Sequence, residues 1–235
     1  MSTTDFTITR DSLIKGALRL CGVLAQGEEP TATQISEAAE ALNLMVKAWE
    51  ADGMPLWAIT KTTVSLVNGQ ADYQLGIGQA INTDKPLKLL QAWNHNITSN
   101  VDVPMRIISH QEYNILGSKF STGSPIQLMF QPFKDYSQIT VFPVPSTVEE
   151  AQNQIVLLYQ RPFYDFDAST DVPDFPQEWY EAVKYGLAVR LAGDYQIDLE
   201  TRKVIQAEAQ QVKEIAKSFG TEEVSMYFGI DRRGF

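Results

Sequence analysis

Apolar residues recur at three-and-four spacing in four stretches near the two ends of the chain, and alternate with polar ones in the stretch between. Over residues 9–25 the apolar positions are Leu13, Ile14, Ala17, Leu18, Cys21 and Leu24, one face of a helix that Thr9 or Asp11 can cap. Over 31–49, Ile35, Ala38, Ala39, Leu42, Met45, Val46 and Trp49 repeat the pattern. Thr31 and Gln34 stand in capping-box spacing there, and Asp52-Gly53-Met54-Pro55 stops the helix. The spacing predicts a third helix up to residue 192, with Asp174 as its cap, Pro176 in its first turn and Gln177 three residues after the cap. Trp179, Val183, Leu187 and Leu191 follow at every fourth position. Asp198 opens a fourth, carrying Val204, Ile205, Val212, Ile215 and Phe219; Lys213 and Lys217 suit its C-terminal dipole and Gly220 ends it.

From residue 58 to about 159 the pattern changes to β-branched and alternating residues between turn formers. Strands are expected at 60–67 and 72–75, joined as a hairpin by Asn68-Gly69, and again at 87–94, 103–107, 126–130, 138–142 and 154–159. One short helix is expected between them, with Ser109 and Glu112 as a capping box and Tyr113, Leu116 and Phe120 as its apolar face.

These elements predict an α+β fold. A four-helix bundle is formed by the N- and C-terminal parts, a β-rich domain is inserted between helices two and three, and an extended arm follows. The expected divisions are a helical hairpin over 1–57, a β insertion over 58–160, a second hairpin over 161–220 and a C-terminal arm over 221–235. The arm holds Val224, Met226, Tyr227, Phe228, Ile230 and Phe235, too apolar for a solvated tail.

Composition narrows the function classes. The chain has 235 residues and a formal net charge of −10, which argues against a protein that grips nucleic acid by neutralising phosphates. The acidic excess lies in the terminal parts, with 4 basic against 8 acidic residues over 1–57 and 9 against 14 over 161–235. No apolar run reaches the ~20 residues of a membrane span, and the N-terminus lacks the features of a signal peptide. The single cysteine, Cys21, falls on an apolar stripe and is expected as a small core residue.

A search for chemistry finds little. His95 lies in a turn and His110 in the first turn of the short helix, neither with a partner at ligand spacing. No phosphate loop or nucleophile elbow occurs. Asp165, Asp167, Ser169 and Asp171 imitate positions 1, 3, 5 and 7 of a calcium loop. Thr170 stands where glycine is needed and Pro176 where the bidentate Glu belongs, so a solvated loop leading into the helix is expected. No catalysis, cofactor or metal is expected. The rival reading is a hydrolytic, peptidoglycan-degrading protein using carboxylates of this loop.

Two stretches carry a resemblance. Residues 11–23 with 31–49 and Asp52-Gly53, and the Pro-Asp-x-Pro-x-x-Trp-Tyr-Glu-Ala-x-x-Tyr-Gly-Leu-Ala-x-Arg-Leu-Ala stretch over 173–192, resemble the helices of bacteriophage head-to-tail adaptors. These head-completion proteins are also called packaged-DNA stabilisation or tail-tube-A-type proteins. The likeness covers a little under half of the chain and leaves the β insertion unmatched. It implies a structural protein of the virion neck, made in the host cytoplasm. Copies would form a homo-oligomeric, dodecameric ring beneath the portal, extend the DNA channel without specific DNA binding, and offer the tail tube or nozzle an attachment site. Under that resemblance Trp49, Trp179, Tyr180 and Tyr185 are expected in bundle or subunit packing. Val224, Met226, Tyr227, Phe228, Ile230, Arg232, Arg233 and Phe235 are expected to form a portal-docking arm. A further rival reading, separate from the resemblance, makes the β insertion a binding module for a tail-fibre or decoration protein.

Overall fold

The computed structural model describes residues 6–52 and 58–219. The protein is α+β, and its chain divides into two compact units: Ala58–Phe163, and the flanking Met1–Trp57 with Tyr164–Phe235. In the helical unit, α1 (Arg10–Leu20) and α2 (Ala32–Ala51) come from the N-terminal part, and α5 (Tyr180–Asp194) and α6 (Leu199–Phe219) from the C-terminal part. Helix α5 is the element on which α1, α2 and α6 all pack. Its buried side chains, Tyr180, Ala182, Val183, Leu187, Ala188, Leu191 and Ala192, cover more than one face. Small alanines among them let neighbouring helices approach on several sides.

Local signals set the helix starts. Thr31 and Gln34 form a reciprocal capping box at α2. Asp198 caps α6 by accepting from the backbone N–H of Glu200 and Thr201 at 3.1 and 3.0 Å. Helix α5 starts differently from expectation. A 3-10 turn, Gln177–Trp179, precedes it, and neither Pro176 nor Trp179 supplies a side-chain cap. Helix α6 also departs from its expected stripe: Ile205 and Ala216 are buried, whereas Val204 and Ile215 face solvent.

The second unit is built from two sheets. One is ordered β1 (Ile59–Ser65), β9 (Asn153–Gln160), β4 (Lys88–Asn96), β5 (Val101–Pro104). The other is ordered β3 (Ile81–Asn82), β2 (Asp72–Gly76), β8 (Ser137–Phe142), β7 (Gln127–Pro132), β6 (Arg106–Ile108). Their inner faces share one core, with Val64, Leu89, Ile155, Leu157 and Tyr159 from the first and Tyr73, Leu75, Leu128, Ile139 and Val141 from the second. Strands β1 and β9 pair antiparallel from Ile59↔Gln160 to Ser65↔Gln154, and the Arg161 N–H donates to the Ala58 carbonyl at 2.8 Å. The unit's two chain ends therefore meet.

Three expectations for this unit are corrected. Asn68-Gly69 does not close a hairpin, because β1 pairs with β9 and β2 with β8, in different sheets. The turn has its Gln70 N–H donating to the Val67 carbonyl, with positive φ at Gly69 (+76°) and not at Asn68. A type I′ hairpin needs positive φ at both central residues, and this turn instead sends the chain across to the other sheet. The single strand expected over 103–107 is two, β5 and β6, which separate at Met105 and join different sheets. Helix α3 (His110–Ile115) has its Ser109–Glu112 capping box but buries no residue, and Phe120, assigned to its apolar face, is 90% exposed. The structure adds α4 (Thr147–Gln152), which the sequence pattern did not mark.

Candidate functional site

Four predicted packing residues converge on or beside α5. The Trp49 ring meets Trp179 at 6.1 Å and 64°, and Phe175 at 6.5 Å and 82°, both edge-on arrangements favoured by aromatic quadrupoles. The Lys213 ammonium of α6 lies 4.6 Å from the Trp49 ring centroid, close enough for a cation–π attraction. Gly186 makes this packing possible: a Cβ there would stand 2.8 Å from Trp49 Cζ2 and 2.9 Å from Met45 Sδ. Trp49, Trp179 and Tyr180 are buried within the chain, and Phe6 approaches the Tyr180 ring at 6.2 Å. Tyr185 is only half-buried. Its hydroxyl is hydrogen-bonded to Glu208, which with partial desolvation raises the phenol above its ordinary pKa.

The acidic loop over 165–171 is organised by hydrogen bonds within the helical unit. Asp171 Oδ2 accepts from the backbone N–H of Asp167 and Ala168 at 2.8 and 2.6 Å. Lys47 pairs with Asp165 at 3.0 Å, and the Asn43 carboxamide clamps Phe166, accepting from its N–H at 3.0 Å and donating to its carbonyl at 3.4 Å. The loop's own carbonyls, Asp171 O and Ser169 O, accept from the N–H groups of Arg10 and Asp11 at 2.8 and 3.4 Å. These are orphan donors of the first turn of α1. The loop is thus a helix cap made of main chain. Among the described residues there is no group of three or more His, Cys, Asp or Glu placed to hold a metal ion.

His95 and Asp102 sit opposite one another on β4 and β5, with Nδ1 and Oδ1 2.7 Å apart. His110 hydrogen-bonds the Gln131 side chain. Cys21 is buried, its Sγ donating to the Ala188 carbonyl at 3.3 Å, and burial pushes the thiol up to about 11.

The β unit carries features that periodicity did not reveal. A groove of about 510 Å3 is lined by Leu90, Trp93, Pro104, Met105 and Ile107, with Asp102 among its polar groups. A bulge between Leu89 and Gln91 shifts the strand's phase, so that Leu89 and Ala92 both face the core. Leu90 and Gln91 fall between them and line the groove. Phe120 and Ile115 stand out from the surface at 90% and 73% exposure. The predicted arm residues, Val224 to Phe235, lie outside the described residues.

A family model described as SU10 adaptor protein matches residues 9–232, spanning both units. No curated protein matches the chain. Among solved structures, a chain described as "Neck of empty GTA particle computed with C6 symmetry" is similar at 10% identity and a TM-score of 0.27. That alignment covers 80% of this chain and 82% of the other.

Proposed function

This chain belongs to the SU10 adaptor protein family, and from that premise we propose that it is a structural component of the neck of a tailed phage particle. The observation that carries the reading is the extent of the match, over residues 9–232, which takes in the β unit as well as the helices. Copies of the chain assemble side by side as a ring beneath the portal, with twelve as the expected number, and the ring continues the DNA channel toward the tail. The formal charge of −10 supports a wall that DNA passes without adhering, since like charge repels the phosphates. Val224, Met226, Tyr227, Phe228, Ile230 and Phe235 supply apolar anchors for docking on the portal, with Arg232 and Arg233 beside them. The tail tube or nozzle binds the opposite side of the ring. Among the described residues no helix is long and apolar enough to cross a membrane.

Electron microscopy of purified particles tests this directly. Density for both units is expected in the neck between portal and tail. Particles in which the chain is located anywhere else overturn the proposal. A chain ending at residue 219 is expected to fold and to lose portal binding, read as the disappearance of the heavier species in light scattering of the mixed proteins.

A further inference from the structure

The β unit presents several exposed apolar side chains, with Phe120 foremost among them as a knob, and an apolar groove whose lining does not include Phe120. Phe120 is the most exposed large apolar side chain of the unit, ahead of Ile77 at 79% and Ile115 at 73%, and at 90% exposure it does not fill the groove of its own chain. The groove is lined by Trp93 and Pro104, which are direct cross-strand neighbours on β4 and β5, and by Leu90, Met105 and Ile107, with the Lys61 ammonium 5.0 Å from the Trp93 ring centroid. Its roughly 510 Å3 is ample for an aromatic ring. Charge agrees with shape. Asp102 lines the groove with its carboxylate 59% exposed and one oxygen, Oδ1, 2.7 Å from His95 Nδ1, and Lys119, immediately before Phe120, rests its ammonium 5.1 Å from the Tyr113 ring centroid. A ring inserted into the groove would bring that ammonium toward the Asp102 carboxylate.

We infer that the occupant of this groove is Phe120 of a second copy of the chain, with Lys119 of that copy facing Asp102. Because knob and groove are different patches, the contact is heterologous: each copy gives its knob to one neighbour and its groove to the other. Such contacts run head to tail and close into a ring when the rotation permits. A buried aromatic in a fitted pocket beside a rim charge pair is the usual arrangement of an interface hot spot. The inference rests on the ring reading above and specifies which surface of the β unit joins the copies.

Cysteine cross-linking in assembled particles tests it. Gln91 lines the groove and is exposed, so Gln91→Cys with Phe120→Cys places one thiol on each side of the contact, and the native Cys21 is buried and silent. A short bismaleimide is expected to give a ladder of dimers, trimers and higher species from the double variant and only monomer from either single variant. Because Phe120→Cys removes the knob itself, Gln91→Cys with Lys119→Cys is the second pair, and the same ladder is expected from it. Monomer alone from particles bearing the Gln91→Cys, Lys119→Cys pair, in which the knob is intact, or a band whose mass includes a different protein, overturns the inference. A lysine-directed cross-linker on wild-type particles separates the two levels. A ladder there with none from the cysteine pairs removes this contact and leaves the ring standing, whereas its absence removes the ring reading as well.

Discussion

Gly186 has an intrinsic cost in a helix, about 0.5–1 kcal/mol relative to alanine, and α5 carries it because Trp49 lies against the helix at that point. Gly186→Ala recovers the intrinsic term but forces the indole against Phe175 and Trp179, an overpacking worth roughly 1–3 kcal/mol. The expected net is a loss of stability of about 1–2 kcal/mol, read as a lower denaturant midpoint. Pairing it with Trp49→Leu should cost less than the sum of the two single changes, because the second removes the nearer of the two obstacles and leaves Met45 Sδ as the other. Cys21 gives a second test. With its thiol buried and pushed up to about 11, it should be inert to a disulfide reagent in the native protein and react as one thiol per chain once unfolded. Asp198 gives a third. The hydrogen bonds from the Thr201 side chain and backbone hold its pKa below the ordinary aspartate value. A carboxyl depressed in the folded state contributes stability above its unfolded pKa of about 3.9 and loses it as pH falls through the folded value. Asp198→Asn keeps an acceptor for the cap and should flatten that part of the acid limb of a stability–pH profile; an unchanged limb would show that the cap's charge is irrelevant to folding.

At the level of elements, what the sequence displays depends on how far away the partner is. The Thr31–Gln34 and Ser109–Glu112 boxes are visible because both partners lie within four residues. Asn68-Gly69 has the local signature of a hairpin turn but does not make one, because the strands it joins pair with β9 and β8. The pairing of β1 with β9 links residues about a hundred positions apart, and no pattern in either strand encodes the other. The acidic loop shows a further limit. Its role in capping α1 is carried by the carbonyls of Ser169 and Asp171, and backbone oxygens have no residue signature. Its side chains, by contrast, imitate a metal loop. The aromatic cluster was half legible. Trp49 and Trp179 each sat on a visible stripe, and the small residue in the Tyr-Gly-Leu-Ala run was the signal of close approach, but only the fold brings the two helices together. Spacing puts Phe120 on the face of a helix that in fact ends five residues before it, so spacing carries no signal of its exposure.

At the scale of the molecule, each unit has its own core. Ala58–Phe163 has a size at which single domains fold alone, and its ends are already joined by hydrogen bonds. Expressed by itself, this segment is expected to unfold cooperatively with the near-ultraviolet signature of packed aromatics; a molten or aggregated product would show that it needs the helical unit. The antiparallel closure between Ala58 and Arg161 also sets how the unit bears load. Force applied to both crossings in the same direction passes along two covalent strands and leaves the β1–β9 ladder untouched. Force that draws Ala58 and Phe163 apart peels the ladder from its open end, breaking one rung at a time at roughly 1 kcal/mol net each. In a single-molecule tether pulled at those two points, the unit should unzip at low force. Hauled by both strands together, it should hold to much higher force, so it is strong as cargo and weak as a link in series.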